Sequence, residues 1–115
     1  MVDGKHDPAK ARGRGAFVKA LAKGALLFVA VLHVWFFVLE TFLWRTDFAA
    51  KVLQMTPAEA NATAVLAGNQ GVYNAVIAAG LFWANATKDA VFSRALRRFF
   101  LGSVIAVGIY GAVSA

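Results

Sequence analysis

GALLFVAVLHVWFFVLETFLW, Gly24 to Trp44, is an apolar run interrupted by two ionisable side chains, His33 and Glu40. At 1.5 Å per helical residue it reaches about 30 Å, the thickness of bilayer hydrocarbon. Ionisable groups inside such a segment are costly, and they mark a bundle interior, an ion or proton path, or a ligand site. Seven residues separate the two, close to two helical turns, so they share a face. The run therefore predicts a membrane-spanning helix with a polar site on one side.

The basic residues flank this run unevenly. Lys5, Lys10, Arg12, Arg14, Lys19 and Lys23 precede it, and Lys88, Arg94, Arg97 and Arg98 crowd the gap before the last apolar run. Only Arg45 and Lys51 fall in the gap between the first and second runs. That alternation is the topology signal of cytoplasmic segments, and it places the N-terminus inside, the first loop outside, the second loop inside and the C-terminus outside. A basic tail can also touch anionic lipid head groups, so membrane lipids are expected partners. The net charge of +6 would suit nucleic acid, yet no base-reading or aromatic motif accompanies it, and no nucleic-acid partner is expected.

Composition agrees with a membrane protein. Hydrophobic residues make up 60% of the 115 and charged residues 16%, with a mean hydropathy of +0.63. One all-α domain is the most this length supports. The absence of cysteine excludes disulfides, zinc–thiolate sites and thiol nucleophiles. The first apolar run is too long for a signal-peptide core and no small-residue cleavage site follows it before Trp44 and Arg45, so it reads as an uncleaved span.

Working outward, residues 1–18 read as a basic flexible cytoplasmic tail and 19–115 as a transmembrane bundle, with spans at about 24–44, 62–84 and 97–115. Within AFVKALAK, Ala16 to Lys23, the pattern suits a short amphipathic turn at the interface. Thr56-Pro57-Ala58-Glu59 is a strong helix start: Thr56 as N-cap, Pro57 at the first helical position and Glu59 closing a capping box. The third span is short, about 25 Å. The Asn61 and Asn85 sequons read as chance, Asn85 falling on the cytoplasmic side.

With this topology, depth below the outer surface follows from residue number and helical rise. Glu40 falls at about 6 Å and His33 at about 16 Å. In the second span Asn69 and Gln70 fall at about 11 Å, and Tyr73 and Asn74 at about 17 Å. In the third, Tyr110 falls at about 8 Å and Ser103 at about 18 Å. His33, Phe37, Glu40 and Trp44 form one stripe, Gln70, Tyr73, Asn74 and Ile77 a second, Ser103, Tyr110 and Ser114 a third. Unpaired amides in hydrocarbon cost several kcal/mol, so the stripes are expected to face one another around a polar pocket in the outer half of the bilayer. The bland alternatives are that Glu40 snorkels or pairs with Arg45, that His33 binds Asn74 or a backbone carbonyl, and that the amides merely hold helices together. Gly68, Gly71 and Gly80 in the second span, and Gly102, Ala106, Gly108, Gly111 and Ala112 in the third, permit close helix contacts.

LHVWFFVLETFLW (Leu32–Trp44), TPAEANATAVLAGNQGVYNAVIAAGLFW (Thr56–Trp83) and VGIYGAVSA (Val107–Ala115) together resemble the uncharacterised bacterial membrane family known as domain of unknown function 1304. The likeness rests on three motifs in order: His-x6-Glu followed by FLW, NQGxYN, and GIYG. It implies a bacterial cytoplasmic-membrane location and assigns the pattern to His33, Glu40, Asn69, Gln70, Tyr73, Asn74 and Tyr110. It also implies a fourth apolar helix, whereas this sequence stops within the third span, and a shorter N-terminus than this basic one. The family brings no assigned activity.

Three functions follow as expectations. The pocket binds or moves a small solute or proton, in which case a three-helix chain needs to form a homo-oligomer. Alternatively, His33 serves as an axial haem ligand or Glu40 and Tyr110 as acid–base groups of a membrane enzyme; a lone histidine disfavours zinc. As a third expectation, the polar face docks the chain as a subunit of a larger membrane complex.

Overall fold

The structure is a computed structural model that describes residues 7–115. Four helices follow one another: α1 (Pro8–Thr41), α2 (Asp47–Leu53), α3 (Pro57–Ala86) and α4 (Ala90–Ser114). α1, α3 and α4 are each long and apolar enough to cross a membrane. The fold is all-α with three spans, as the apolar runs predicted.

Helix ends are set by local chemistry. α3 starts where the capping box placed it: the Thr56 N–H donates to Glu59 Oε2 at 2.7 Å and the Glu59 N–H donates to Thr56 Oγ1 at 3.2 Å. α1 starts with a similar device. Asp7 Oδ1 accepts from the N–H groups of Ala9 at 3.0 Å and Lys10 at 3.4 Å, and Pro8 occupies the first helical position. Part of the expected tail is thus helix: residues 8–18 are the first turns of α1, and 1–6 lie outside the described residues. Nor does Ala16–Lys23 form a separate interfacial turn, because nothing after Pro8 breaks the helix. Gly13, Gly15 and Gly24 all keep negative φ.

Two more caps escaped the sequence reading. Thr46 caps α2, accepting from Ala49 N–H at 3.3 Å, and the helix closes on Gln54 in the left-handed region, φ 55°. Asp89 caps α4, accepting from Val91 N–H at 2.9 Å and Phe92 N–H at 3.3 Å. α4 therefore begins at Ala90, two turns before the expected third span, and its 25 residues reach about 37 Å.

α1 and α3 run antiparallel in close contact. From the α2 end downward the pairs are Trp44 with Thr63, Thr41 with Gly68, and Glu40 with Asn74. Below them Leu26, Ala30, Leu81, Ala84 and Leu96 form a buried apolar core. Gly71 sets the approach. A Cβ there would collide with Thr41 Oγ1 and lie 3.1 Å from both Phe37 O and Thr41 N, backbone atoms that cannot swing aside. Gly80 does the same for α4, since a methyl would enter the Phe100 ring.

α4 joins the pair by its first half only. Leu96 enters the core, Ser93 Oγ donates to Ala84 O at 2.8 Å, and the rings of Trp83 and Phe92 meet edge to face at 5.5 Å. Beyond Gly102 the helix stands apart: a Cβ on Gly102, Gly108 or Gly111 would meet nothing within 4 Å. The glycines expected to pack the third span thus meet no neighbouring helix within this chain.

Since lipid supplies no hydrophobic drive between helices, close packing and interhelical hydrogen bonds hold α1 to α3. Gly71→Ala is expected to lower stability by about 1–3 kcal/mol through overpacking. Gly68→Ala, in open space, is expected to stay within about 0.5 kcal/mol or to gain slightly from helix propensity. Thermal unfolding in mild detergent, followed by circular dichroism, compares the two.

Candidate functional site

Glu40 sits in the last turn of α1 and Asn74 in the middle of α3, yet their side chains meet: Asn74 Nδ2 donates to Glu40 Oε1 at 2.6 Å. The geometry follows from helix direction. Side chains lean toward the N-terminus of their own helix. In an antiparallel pair, Glu40 therefore leans down and Asn74 leans up, closing an offset of several residues. Glu40 does not turn outward to Arg45 as its ion-pair alternative required.

Above this bond the α1–α3 interface carries two further polar links. Thr41 Oγ1 donates to Gly68 O at 3.3 Å, and Trp44 Nε1 donates to Thr63 Oγ1 at 2.9 Å. Thr63 passes the chain on, donating to Glu59 O at 2.8 Å. These links border a cleft of about 280 Å³ lined by Glu40, Thr41, Phe42, Trp44, Arg45, Ala64 and Val65. Asn74 occupies Oε1 of Glu40, so Oε2 is the carboxylate atom that this bond leaves free. A carboxylate and a guanidinium lining one cleft can take a small solute bearing both donors and acceptors, or a proton.

His33 occupies a different place. It is 9% exposed, its Nδ1 lies 2.8 Å from Val29 O, and its ring meets Phe36 edge to face at 5.7 Å. A carbonyl only accepts, so Nδ1 carries a hydrogen and donates within α1. This is the backbone-carbonyl alternative, and it separates His33 from the Glu40 cleft, whose lining does not include it.

Asn69, Gln70 and Tyr73 are exposed on α3, and Tyr110 is 75% exposed on the free half of α4. Ser103 and Ser114 spend their hydroxyls on their own helix, donating to Phe99 O and Tyr110 O at 2.6 Å each. Of the seven residues singled out in the sequence, the fold joins Glu40 and Asn74, buries His33 nearby on α1, and leaves the other four on outer faces. The three stripes do not enclose one chamber, because α4 diverges before its polar residues reach the level of Glu40. Thr41 and Thr63, which no sequence motif flagged, complete the interface. The signal was present in their position, each within one turn of a polar or aromatic partner at the membrane edge.

No group of three or more His, Cys, Asp or Glu side chains among the described residues could hold a metal ion. No curated protein and no solved structure matches the chain. Residues 27–115 match the model of a family described as "Protein of unknown function (DUF1304)". That match takes in α1 from Leu27 onward, α2, α3 and α4, with Glu40, Asn74 and every lining residue of the cleft beside Glu40. The chain belongs to the DUF1304 family.

Proposed function

We propose that this chain is a binding protein of the bacterial cytoplasmic membrane whose α1–α3 cleft holds a proton or a small polar solute at Glu40. The observation that carries this reading is the Glu40–Asn74 bond at 2.6 Å, beside an open cleft. A carboxylate held by one oxygen keeps a fixed orientation while its second oxygen stays available. Arg45 at the rim supplies a donor for the far side of a solute. The N-terminus lies on the cytoplasmic side by the charge rule, so the cleft opens outward.

A single copy binds rather than conducts. Beneath Glu40 the helices close on Leu26, Ala30, Leu81, Ala84 and Leu96, with no polar group in that core to pass a charge onward. Movement of a solute across the bilayer therefore requires several copies or a partner subunit. The exposed amides of Asn69 and Gln70 favour such an assembly, because amides facing hydrocarbon need hydrogen-bond partners. Amides both donate and accept, so a second copy related by a two-fold axis satisfies them.

Two measurements test this. In lipid, infrared difference spectra between acidic and alkaline buffer are expected to contain a carboxyl band that Glu40→Gln removes and Asn74→Leu shifts. Spectra unchanged by Glu40→Gln would remove Glu40 from proton exchange. For the assembly, the cysteine-free chain allows single-cysteine cross-linking: Gln70→Cys is expected to give disulfide-linked dimers in membranes, and Phe28→Cys, 68% exposed on α1, is expected to give few. Equal yields would mean random collision.

A further inference from the structure

At the opposite end of the molecule a second cleft, about 460 Å³, is lined by Lys19, Lys23, Thr87, Ser93, Arg94 and Arg97 among others. Four cations and no carboxylate line it. Lys19 and Lys23 lie four residues apart on α1, and Arg94 and Arg97 three apart on α4, so each helix presents its pair on one face. The apolar core holds these faces together, since Leu26 and Leu96 belong to the same cluster. Like charges gathered this way repel unless an anion joins them.

Among the polar atoms of the cleft, one buried donor is left unmet. Both hydroxyls are committed inward: Ser93 Oγ donates to Ala84 O at 2.8 Å and Thr87 Oγ1 donates to Trp83 O at 2.7 Å. Arg97 Nε is buried and finds no hydrogen-bond acceptor among the described residues. A buried guanidinium N–H without an acceptor is costly, and the group that satisfies it is an oxygen acceptor, best an anionic one.

We infer that this cleft is a phosphate site, in which Arg97 and Arg94 grip the anion from α4 and Lys19 and Lys23 neutralise it from α1. The phosphate belongs to an anionic lipid head group or to a free phosphate in the same aqueous layer. The cleft lies within about two turns of the apolar core, at the level where head groups sit under the topology set by the charge rule. Bound there, the phosphate ties the start of α4 to α1, two helices that otherwise meet chiefly through α3.

Native mass spectrometry of the full chain in mild detergent tests this with three probes: phosphatidylglycerol, phosphatidylcholine and inorganic phosphate. One phosphatidylglycerol per chain is expected to be retained more strongly than phosphatidylcholine. Displacement of it by inorganic phosphate at comparable concentration assigns the site to free phosphate; retention against that competitor assigns it to lipid. Arg94→Gln with Arg97→Gln is expected to weaken binding about thirtyfold. Arg97→Lys keeps the charge and the topology signal but removes Nε, and is expected to weaken it severalfold. Lys10→Gln with Arg12→Gln, outside the cleft, leaves it unchanged. Arg97→Lys binding as tightly as the parent, or the Lys10/Arg12 variant losing as much as the Arg94/Arg97 variant, would overturn the site and leave only diffuse surface charge.

Discussion

The side chains of Glu40 and Asn74 lean in opposite directions along the bundle axis and meet at 2.6 Å between α1 and α3. The bond is part-buried between the two helices and ties the last turn of α1 to the middle of α3, so it helps to set their spacing and register. Gly71 makes it possible by letting the α1 backbone approach α3 where any side chain would strike Thr41 and Phe37. From that register follow the links above it, Thr41 to Gly68 O and Trp44 to Thr63, and the apolar core below it. The cleft lined by Glu40 is the space this arrangement leaves beside the carboxylate.

Much of the architecture was legible in the residues. Apolar runs of bilayer length predicted three spans, and Thr56-Pro57-Ala58-Glu59 located the start of α3 at its actual cap. The same logic applied to Asp7-Pro8 would have located the start of α1; its basic surroundings disguised it as tail. Asp89 was hidden likewise, in a stretch read as loop, so α4 proved two turns longer than its apolar part.

The site was legible only in part. Periodicity tells which face of a helix is polar, and correctly put Glu40 and Asn74 on facing stripes. It does not tell which neighbour that face meets. A depth ruler built on backbone rise separated the two by about 11 Å, since it ignored the offset between helices and the lean of side chains toward their own N-termini. Tyr110 and Ser103 share a face of α4 as the spacing required, but the divergence of α4 beyond Gly102 depends on where its packing stops. Nothing local to those residues encodes that. Gly71 and Gly80 looked like two small residues among eight; only the close approach of Thr41 and Phe100 distinguishes them.

The molecule thus divides into a polar cleft at one end, a basic cleft at the other and, between them, an apolar core with the buried His33 above it. The ends are chemically opposite: a carboxylate held by an amide on one side, four cations on the other. The polar cleft depends most on a single contact. Solid-state NMR of the chain in lipid bilayers, with 15N in the Asn74 amide and 13C in the Glu40 carboxyl, measures that contact directly. Strong dipolar coupling between the two labels, corresponding to a hydrogen-bonded pair, is the result this account expects. Labels without measurable coupling, in a protein whose helices are otherwise intact, would contradict it.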